Sequence, residues 1–137
     1  MPELGLETLV SRFAGPGWVV VSPFSADSGI VQVGAGDVEI LVEEMVPPGG
    51  ALFIDECVLE HIDGTGLEVM TWFLAVNRRR IDPYQQMRGR AATGLAPVKT
   101  PQLVRGGQKI SLGVENTDAN LAINVAGSWT AWLLERR

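Results

Sequence analysis

The side chains best able to take part in covalent or metal chemistry are few in this chain. His61 is the only histidine and Cys57 is the only cysteine, so a Ser-His-Asp, Cys-His or zinc site would have to use one of them. His61 comes at the end of a strand-like stretch, which favours a polar residue at a strand end. Cys57 alternates with apolar residues, which favours a buried and unreactive thiol. We therefore predict that the chain is not an enzyme and that it holds no metal and no cofactor.

Carboxylate pairs could act as acid and base or bind calcium. Glu43-Glu44 and Asp55-Glu56 are adjacent in the sequence. Neighbouring residues on a strand point to opposite faces, so neither adjacent pair is expected to share one site. Glu56 and Glu60 share a face but lie ~13 Å apart at the usual rise of a strand. The predicted role of these carboxylates is a solvated acidic face.

Arg78, Arg79 and Arg80 follow Asn77 in the stretch VNRRRI. Asparagine tolerates left-handed backbone conformations, so the stretch predicts the tip of a hairpin. The functional alternative is a bidentate clamp on an acidic patch of a neighbouring protein. Nucleic acid is not the expected partner, because the net charge of the chain is −5 and no aromatic residue is interleaved with the arginines.

The four tryptophans are candidates for a core, a subunit interface or a sugar-stacking platform. Trp129 and Trp132 are three residues apart, so on a strand they face opposite sides and at least one should lie in the core. Trp72 lies in a stretch that is apolar on both faces, which suits a core or an interface. We predict core or interface positions and include Trp72, Trp129 and Trp132 among the candidate interface residues, together with the arginine triplet.

One amphipathic helix is predicted over residues 3–15. Leu6, Leu9, Val10 and Phe13 recur at helical spacing, and Gly15-Pro16-Gly17 ends the pattern. A short helix is not stable alone. It should therefore cover one end of the core, the preferred interpretation, or dock on a partner, which adds Leu6, Leu9 and Phe13 to the candidate interface residues.

From residue 18 onward the pattern is that of β-strands. Within 38–46, the residues Val38, Ile40 and Val42 are predicted to share a face, and within 51–62 the residues Phe53, Cys57 and Leu59 are predicted to do so. Other predictions are a turn over 25–29, turns at 47–50 and 63–66, an irregular connection over 82–101 and one alternating stretch over 103–116. A closing strand is predicted over 121–135, with a bulge or a bend at Gly127. Some eight to ten short strands without helical crossovers predict an all-β, antiparallel β-sandwich of jelly-roll or Greek-key type, over residues 18–137, after an N-terminal amphipathic segment, 1–17.

The composition is that of one globular domain, with 137 residues of which 46% are hydrophobic. Residues 1–68 carry a net charge of −11 and residues 69–137 carry +6. These charges could pair across strands, the preferred interpretation, or could give each subunit an acidic and a basic face suited to assembly with copies of itself. No apolar run of about 20 residues is present, so no membrane contact is expected, and we expect synthesis in a reducing cytoplasm.

Three segments carry a resemblance to a known class of proteins: MVPPGGALFIDECVL (45–59), TWFLAVNRRRIDPY (71–84) and LVRGGQKISLGVENTDANLAINVAGSWTAWLLE (103–135). They resemble small β-sandwich proteins of tailed-bacteriophage virions, such as capsid decoration (cement) proteins and head or tail accessory proteins. The arginine triplet departs from the glycine-containing turn expected in that class.

The resemblance implies a structural protein on the capsid surface, assembled in the cytoplasm of a bacterial host. It implies a homo-oligomer, commonly a trimer, bound to the major capsid protein or to another virion protein. It implies no catalytic residue. The alternative is a carbohydrate- or receptor-binding module of a fibre or tail that uses an exposed tryptophan.

Overall fold

The computed structural model describes residues 5–62, 66–88, 90–91 and 98–137. Within these residues there are one helix and ten strands. In chain order they are α1 (Leu6–Ala14), β1 (Trp18–Pro23), β2 (Ala26–Val33), β3 (Val38–Met45), β4 (Gly50–His61), β5 (Met70–Val76), β6 (Arg79–Arg80), β7 (Arg90–Ala91), β8 (Val98–Arg105), β9 (Lys109–Asn116) and β10 (Ile123–Arg136).

Eight of the strands form one long hairpin that is rolled up on itself. β2 pairs with β10, β3 with β9, β4 with β8 and β5 with β6, all antiparallel. Rolling the hairpin brings β10 beside β4 and β9 beside β5. The result is a sheet in the order β2-β10-β4-β8 packed on a sheet in the order β3-β9-β5-β6, which is the jelly-roll arrangement. The predicted all-β antiparallel sandwich of jelly-roll type, with a short N-terminal helix, is confirmed.

Two further strands extend the larger sheet. β1 pairs antiparallel with the second half of β10, so it lies beside β2 on the same edge. β7 makes a short parallel pairing with the end of β4.

The inner faces of the two sheets enclose one apolar core that contains Trp72 of β5 and Trp129 of β10. Gly127 of β10 lies at its centre, where a Cβ atom would come within 3.0 Å of both Leu41 and Trp72. Glycine at this position therefore lets the indole ring of Trp72 approach the backbone of β10 closely. The register between β10 and β2 shifts between Ala126 and Ser128 because β2 carries one additional residue there, whereas Gly127 keeps a regular pairing with Leu59 of β4. The bulge predicted at Gly127 is therefore wrong, because it lies on the partner strand β2.

The helix α1 covers part of the outer face of the larger sheet. Leu6 and Leu9 are partly buried there. Phe13 is more exposed, but its ring contacts that of Phe53, with the centroids 5.3 Å apart and the planes tilted by 45°. The predicted apolar face of the helix is confirmed, whereas its expected position over one end of the core is wrong. The physical reason is an apolar patch on the outer face of the sheet, which the helix buries in a second cluster made of Val10, Ala14, Ala51, Phe53 and Leu134.

Two β-bulges change the side-chain alternation that the sequence suggested. In β3 the register shifts between Ile40 and Val42, so Val42 is buried in the core while Val38 is exposed. In β4 the register with β10 shifts between Ile54 and Glu56, which pair with adjacent residues of β10, so Phe53 faces the helix while Cys57 faces the core. The shared faces predicted for Val38 with Val42 and for Phe53 with Cys57 are therefore wrong, because a bulge inserts one residue and reverses the alternation beyond it.

Two other boundaries also differ from the sequence prediction. The turn predicted over 25–29 is wrong, since β2 begins at Ala26. The stretch 103–116 is two strands, β8 and β9, separated by a turn that contains Gly107 with φ +83°. The turn at 47–50 is confirmed by a bond from the N–H of Gly50 to the carbonyl of Pro47. Residues 1–4, most of the turn at 63–66, and positions 89 and 92–97 of the connection over 82–101 lie outside the described residues.

Candidate interaction surfaces

The arginine triplet lies at a tight hairpin between β5 and β6. Val76 pairs with Arg79, and the two residues between them, Asn77 and Arg78, have positive φ angles of 51° and 67°. Such a turn matches the right-handed twist of the flanking strands. The Asn77 side chain also accepts a bond of 3.0 Å from the N–H of Lys109 in β9. The predicted hairpin tip is confirmed, and Asn77 ties it to the neighbouring strand.

Arg78 is engaged within the chain by Glu43 of β3. Its Nε and Nη2 atoms donate bonds of 2.7 and 3.0 Å to the two carboxylate oxygens. The hydroxyl of Ser111 donates a third bond of 2.7 Å to the same carboxylate. The bonds from Arg78 first, and that from Ser111 second, lower the pKa of Glu43 from 4.5 to about 2. The guanidinium group of Arg78 is therefore already bound at two points by the carboxylate of Glu43.

Arg80 is engaged as well, and it is held from two sides. It donates a bond of 2.7 Å to Glu115 of β9, and its guanidinium carbon lies 4.1 Å from the ring centroid of Phe73. Phe73 pairs with Gly113 and covers it so closely that a Cβ atom on Gly113 would come within 2.7 Å of the ring atom Cε2. Because Gly113 has no side chain, the ring of Phe73 can lie close to β9, where it also contacts Arg80.

Of the triplet, Arg79 alone is exposed with a side chain that forms no hydrogen bond or ion pair to another described residue. A clamp that used all three arginines would first have to break the contacts of Arg78 with Glu43 and of Arg80 with Glu115. The structure therefore corrects the triplet as a candidate site: two of its arginines hold the hairpin against the sheet.

Two of the candidate tryptophans are buried inside the single chain. Trp72 is fully buried and its Nε1 donates to Nε2 of His61 at 3.2 Å. Trp129 is buried on the inner face of β10, and its Nε1 donates to the carbonyl of Phe24 at 3.3 Å. Their assignment to a subunit interface is therefore corrected in favour of the core, because a side chain enclosed within one chain cannot contact another. Trp132 points the other way, as predicted, and is partly buried in the helix-covered cluster.

His61 and Cys57 both lie in the interior. His61 is the last residue of β4, so its predicted position at a strand end is confirmed. It is fully buried there and accepts a bond from Trp72. Cys57 is buried with its sulfur 3.3 Å from the hydroxyl of Thr100. Burial raises the pKa of the thiol to about 11. The predicted burial of the thiol is confirmed, and its low reactivity stays a prediction.

The bulge in β4 also changes the arrangement of the adjacent carboxylates Asp55 and Glu56. Lys99 of β8 lies 3.6 Å from the first and 2.7 Å from the second. The prediction that this pair could not share a site is wrong, because the bulge brings both carboxylates to one cation. Within the described part of the chain, no three His, Cys, Asp or Glu side chains are grouped so as to hold a metal ion.

A cavity of about 460 Å³ opens at one end of the sandwich. Its lining includes the apolar residues Leu67, Val69, Leu121 and Ile123 and the acidic residues Glu68 and Asp118. Asp118 accepts bonds of 2.7 and 2.9 Å from the N–H groups of Asn120 and Leu121, and these bonds lower its pKa. The carboxylate of Asp118 is therefore used to hold its own loop.

A cluster that the sequence did not suggest lies at one corner of the larger sheet. The guanidinium carbons of Arg105 and Arg136 lie 5.2 and 5.9 Å from the ring centroid of Trp18. Both distances fall within the range of cation–π contacts. These residues come from β8, β10 and β1, so no local spacing in the sequence could have grouped them.

Comparisons with known proteins identify no relative of this chain. No family model matches the chain, and neither a curated protein nor a solved structure is detectably similar to it. Among the described residues, no helix has the length and apolar character needed to span a membrane.

Proposed function

We propose that the chain is a non-enzymatic structural protein of a tailed-bacteriophage virion. Its most specific form is a capsid decoration (cement) protein that binds the head shell as a homo-oligomer, with a trimer favoured. The observation that carries the proposal is the rolled eight-stranded hairpin, an architecture found in viral capsid domains. The three segments that resemble phage virion proteins contribute β4, β5, β6, β9 and β10, which include the central strands of both sheets.

The placement of the reactive side chains supports binding rather than turnover. His61 and Cys57, the only histidine and cysteine, are both buried. Neither is presented to a substrate in this conformation. The alternative of a sugar-binding module needs an exposed indole, and burial removes Trp72 and Trp129 from that role.

Exposed apolar side chains on the smaller sheet supply further support. Val38 is 51% exposed and Met45 is 52% exposed. They pair with Glu115 and Lys109, which places both on the outer face beside the charged network of the arginine hairpin. Burial of such side chains on assembly would favour association, and the surrounding charges would set the orientation of the partner.

Two measurements test the proposal. Peptide mass spectrometry of phage particles purified from the host that carries the gene should detect the chain in an amount comparable with that of the shell protein. Light scattering at micromolar concentration should give the mass of a trimer or another closed oligomer. A monomer that remains in the host lysate and is missing from the particles would contradict the proposal.

A further inference from the structure

We propose that the corner formed by Trp18, Arg105 and Arg136, here called the basic corner, binds a carboxylate-rich surface of a partner protein. This inference rests on the proposed function, and it supplies the docking surface that the arginine triplet does not offer.

The jelly roll builds the basic corner from three neighbouring strands. Trp18 at the start of β1 pairs with Arg136 at the end of β10. Arg105 at the end of β8 pairs with Ala51 of β4, and Ala51 also pairs with Leu134 of β10. The three side chains therefore meet at the end of the sheet where β1, β10 and β8 all have a terminus.

The indole ring holds both cations in place. Each guanidinium carbon is within 6 Å of the ring centroid, at 5.2 and 5.9 Å. A guanidinium group beside an aromatic ring keeps its N–H donors at the edge of the contact, where they can reach another group. Because the ring restrains the two side chains before binding, less conformational entropy is lost when they grip a ligand.

The donors of the basic corner are free to bind. Among the described residues, neither Arg105 nor Arg136 forms an ion pair, and their guanidinium groups donate no hydrogen bond. Arg78 and Arg80 show the contrasting case, since each is already bonded to a carboxylate of this chain. The planar fork of arginine matches a carboxylate in two-point geometry, so two unfilled forks beside one indole fit a surface that carries several carboxylates.

A protein surface fits these observations better than a nucleic acid does. The net charge of the chain is −5, which opposes the approach of a polyphosphate along most of the surface. Nucleic-acid binding normally uses a stripe of cations that tracks several phosphates, whereas the basic corner is compact. The same overall charge would orient an acidic partner toward this corner.

The test uses the full chain and the hexaglutamate peptide as a probe at low ionic strength. Binding is followed by nuclear magnetic resonance through the indole N–H signal of Trp18, which the Trp18→Phe variant assigns. We expect the peptide to shift this signal saturably and 0.5 M NaCl to weaken binding. The double variant Arg105→Gln/Arg136→Gln should weaken it at least tenfold.

Arg79→Gln is the matched control, because it removes an exposed arginine from another surface and should leave the affinity unchanged. The indole signals of Trp72 and Trp129, which are buried, should keep their wild-type positions in every variant and so show that each is folded. No saturable shift of the Trp18 signal, or equal weakening by Arg79→Gln, would overturn the inference. A tighter response to inorganic phosphate or to a thymidine oligonucleotide would overturn it in favour of a phosphate ligand.

The chain could instead associate with itself in a concentration-dependent way that requires Arg105 and Arg136 and that hexaglutamate does not inhibit. That result would overturn the inference, because the occupant of the basic corner would then be a second copy of this chain. Failure of the inference can be told apart from failure of the proposed function. A chain found in phage particles whose basic corner does not bind hexaglutamate contradicts only the inference. A chain that binds the peptide but is missing from the particles contradicts only the proposed function.

Discussion

The contact between Phe73 and Gly113 leads to a prediction about the sign of a single substitution. Gly113 lies within β9 and is not among the glycines with positive φ, so its backbone conformation suits alanine. Replacing an interior strand glycine by alanine normally stabilises a protein by about 0.5–1 kcal/mol, because glycine loses more conformational entropy on folding. At this position we expect Gly113→Ala to destabilise the protein instead.

The magnitude follows from the displacement of the aromatic ring. A Cβ atom at position 113 would come within 2.7 Å of Cε2 of Phe73, so the ring must move away from β9. Phe73 is only 4% exposed, and returning a phenylalanine side chain to water costs about 1.5–3 kcal/mol. Subtracting the gain from removing glycine leaves a net destabilisation of about 1–2 kcal/mol. The displaced ring would also no longer lie under Arg80.

A double-mutant cycle isolates this effect. Urea unfolding can be followed by tryptophan fluorescence, since Trp72 and Trp129 are buried. For a slope of about 2 kcal/mol/M, Gly113→Ala should lower the midpoint by about 0.5–1 M. In the Phe73→Ala background the same substitution should raise stability by about 0.5 kcal/mol, because the obstructing ring is gone. Equal destabilisation in both backgrounds, or a more stable Gly113→Ala protein, would refute the reasoning.

Three further predictions concern residues around the hairpin and in the core. Because the folded pKa of Glu43 is about 2 against 4.5, its stabilising contribution is complete above about pH 4.5 and is lost as the pH falls toward 2. Glu43→Gln should lower the free energy of unfolding by about 1 kcal/mol at pH 7, once solvent screening of the exposed Arg78 is allowed for, and should have no effect near pH 2. Urea unfolding at several pH values measures this difference, and a loss of stability that does not change with pH would contradict the prediction. Asn77→Ala should destabilise the protein by about 1–2 kcal/mol, since Asn77 has a φ angle of 51° and its side chain accepts a bond from the N–H of Lys109. Thermal unfolding should show a smaller loss of stability for Asn77→Gly, because glycine adopts a positive φ angle without strain. Equal losses for the two variants would mean that backbone strain contributes nothing. Cys57 should not react with an aromatic disulfide reagent at pH 8 until the protein unfolds, because it is buried and its pKa is raised to about 11; rapid labelling of the native protein would disprove this.

The comparison of sequence with structure separates local from non-local information. The helical spacing of Leu6, Leu9 and Val10 predicted which face of α1 is buried, and Asn77 predicted the hairpin tip. Both follow from the conformational preferences of a few adjacent residues. The same local information cannot show where the buried face of the helix docks. The helix was expected to cover one end of the sandwich, but it lies on the outer face of the larger sheet.

The bulges show why alternation alone misassigned several side chains. One additional residue in β4, Asp55, puts Phe53 and Cys57 in different clusters and brings Asp55 and Glu56 to the same lysine. A bulge is selected by the fit between two paired strands. The sequence of one strand alone therefore does not predict where its bulge lies.

The sequence by itself determined that the chain forms many short strands after one amphipathic helix. Side-chain periodicity and turn residues reflect the conformational preferences of neighbouring residues and do not depend on which strands later pair. Only the tertiary structure decided that Trp72 donates to a buried His61, that two arginines of the triplet bind carboxylates of their own chain, and that Trp18, Arg105 and Arg136 share a corner. The physical reason is that these contacts join residues far apart in the chain. They exist only once the long hairpin has been rolled and its strands have found their register.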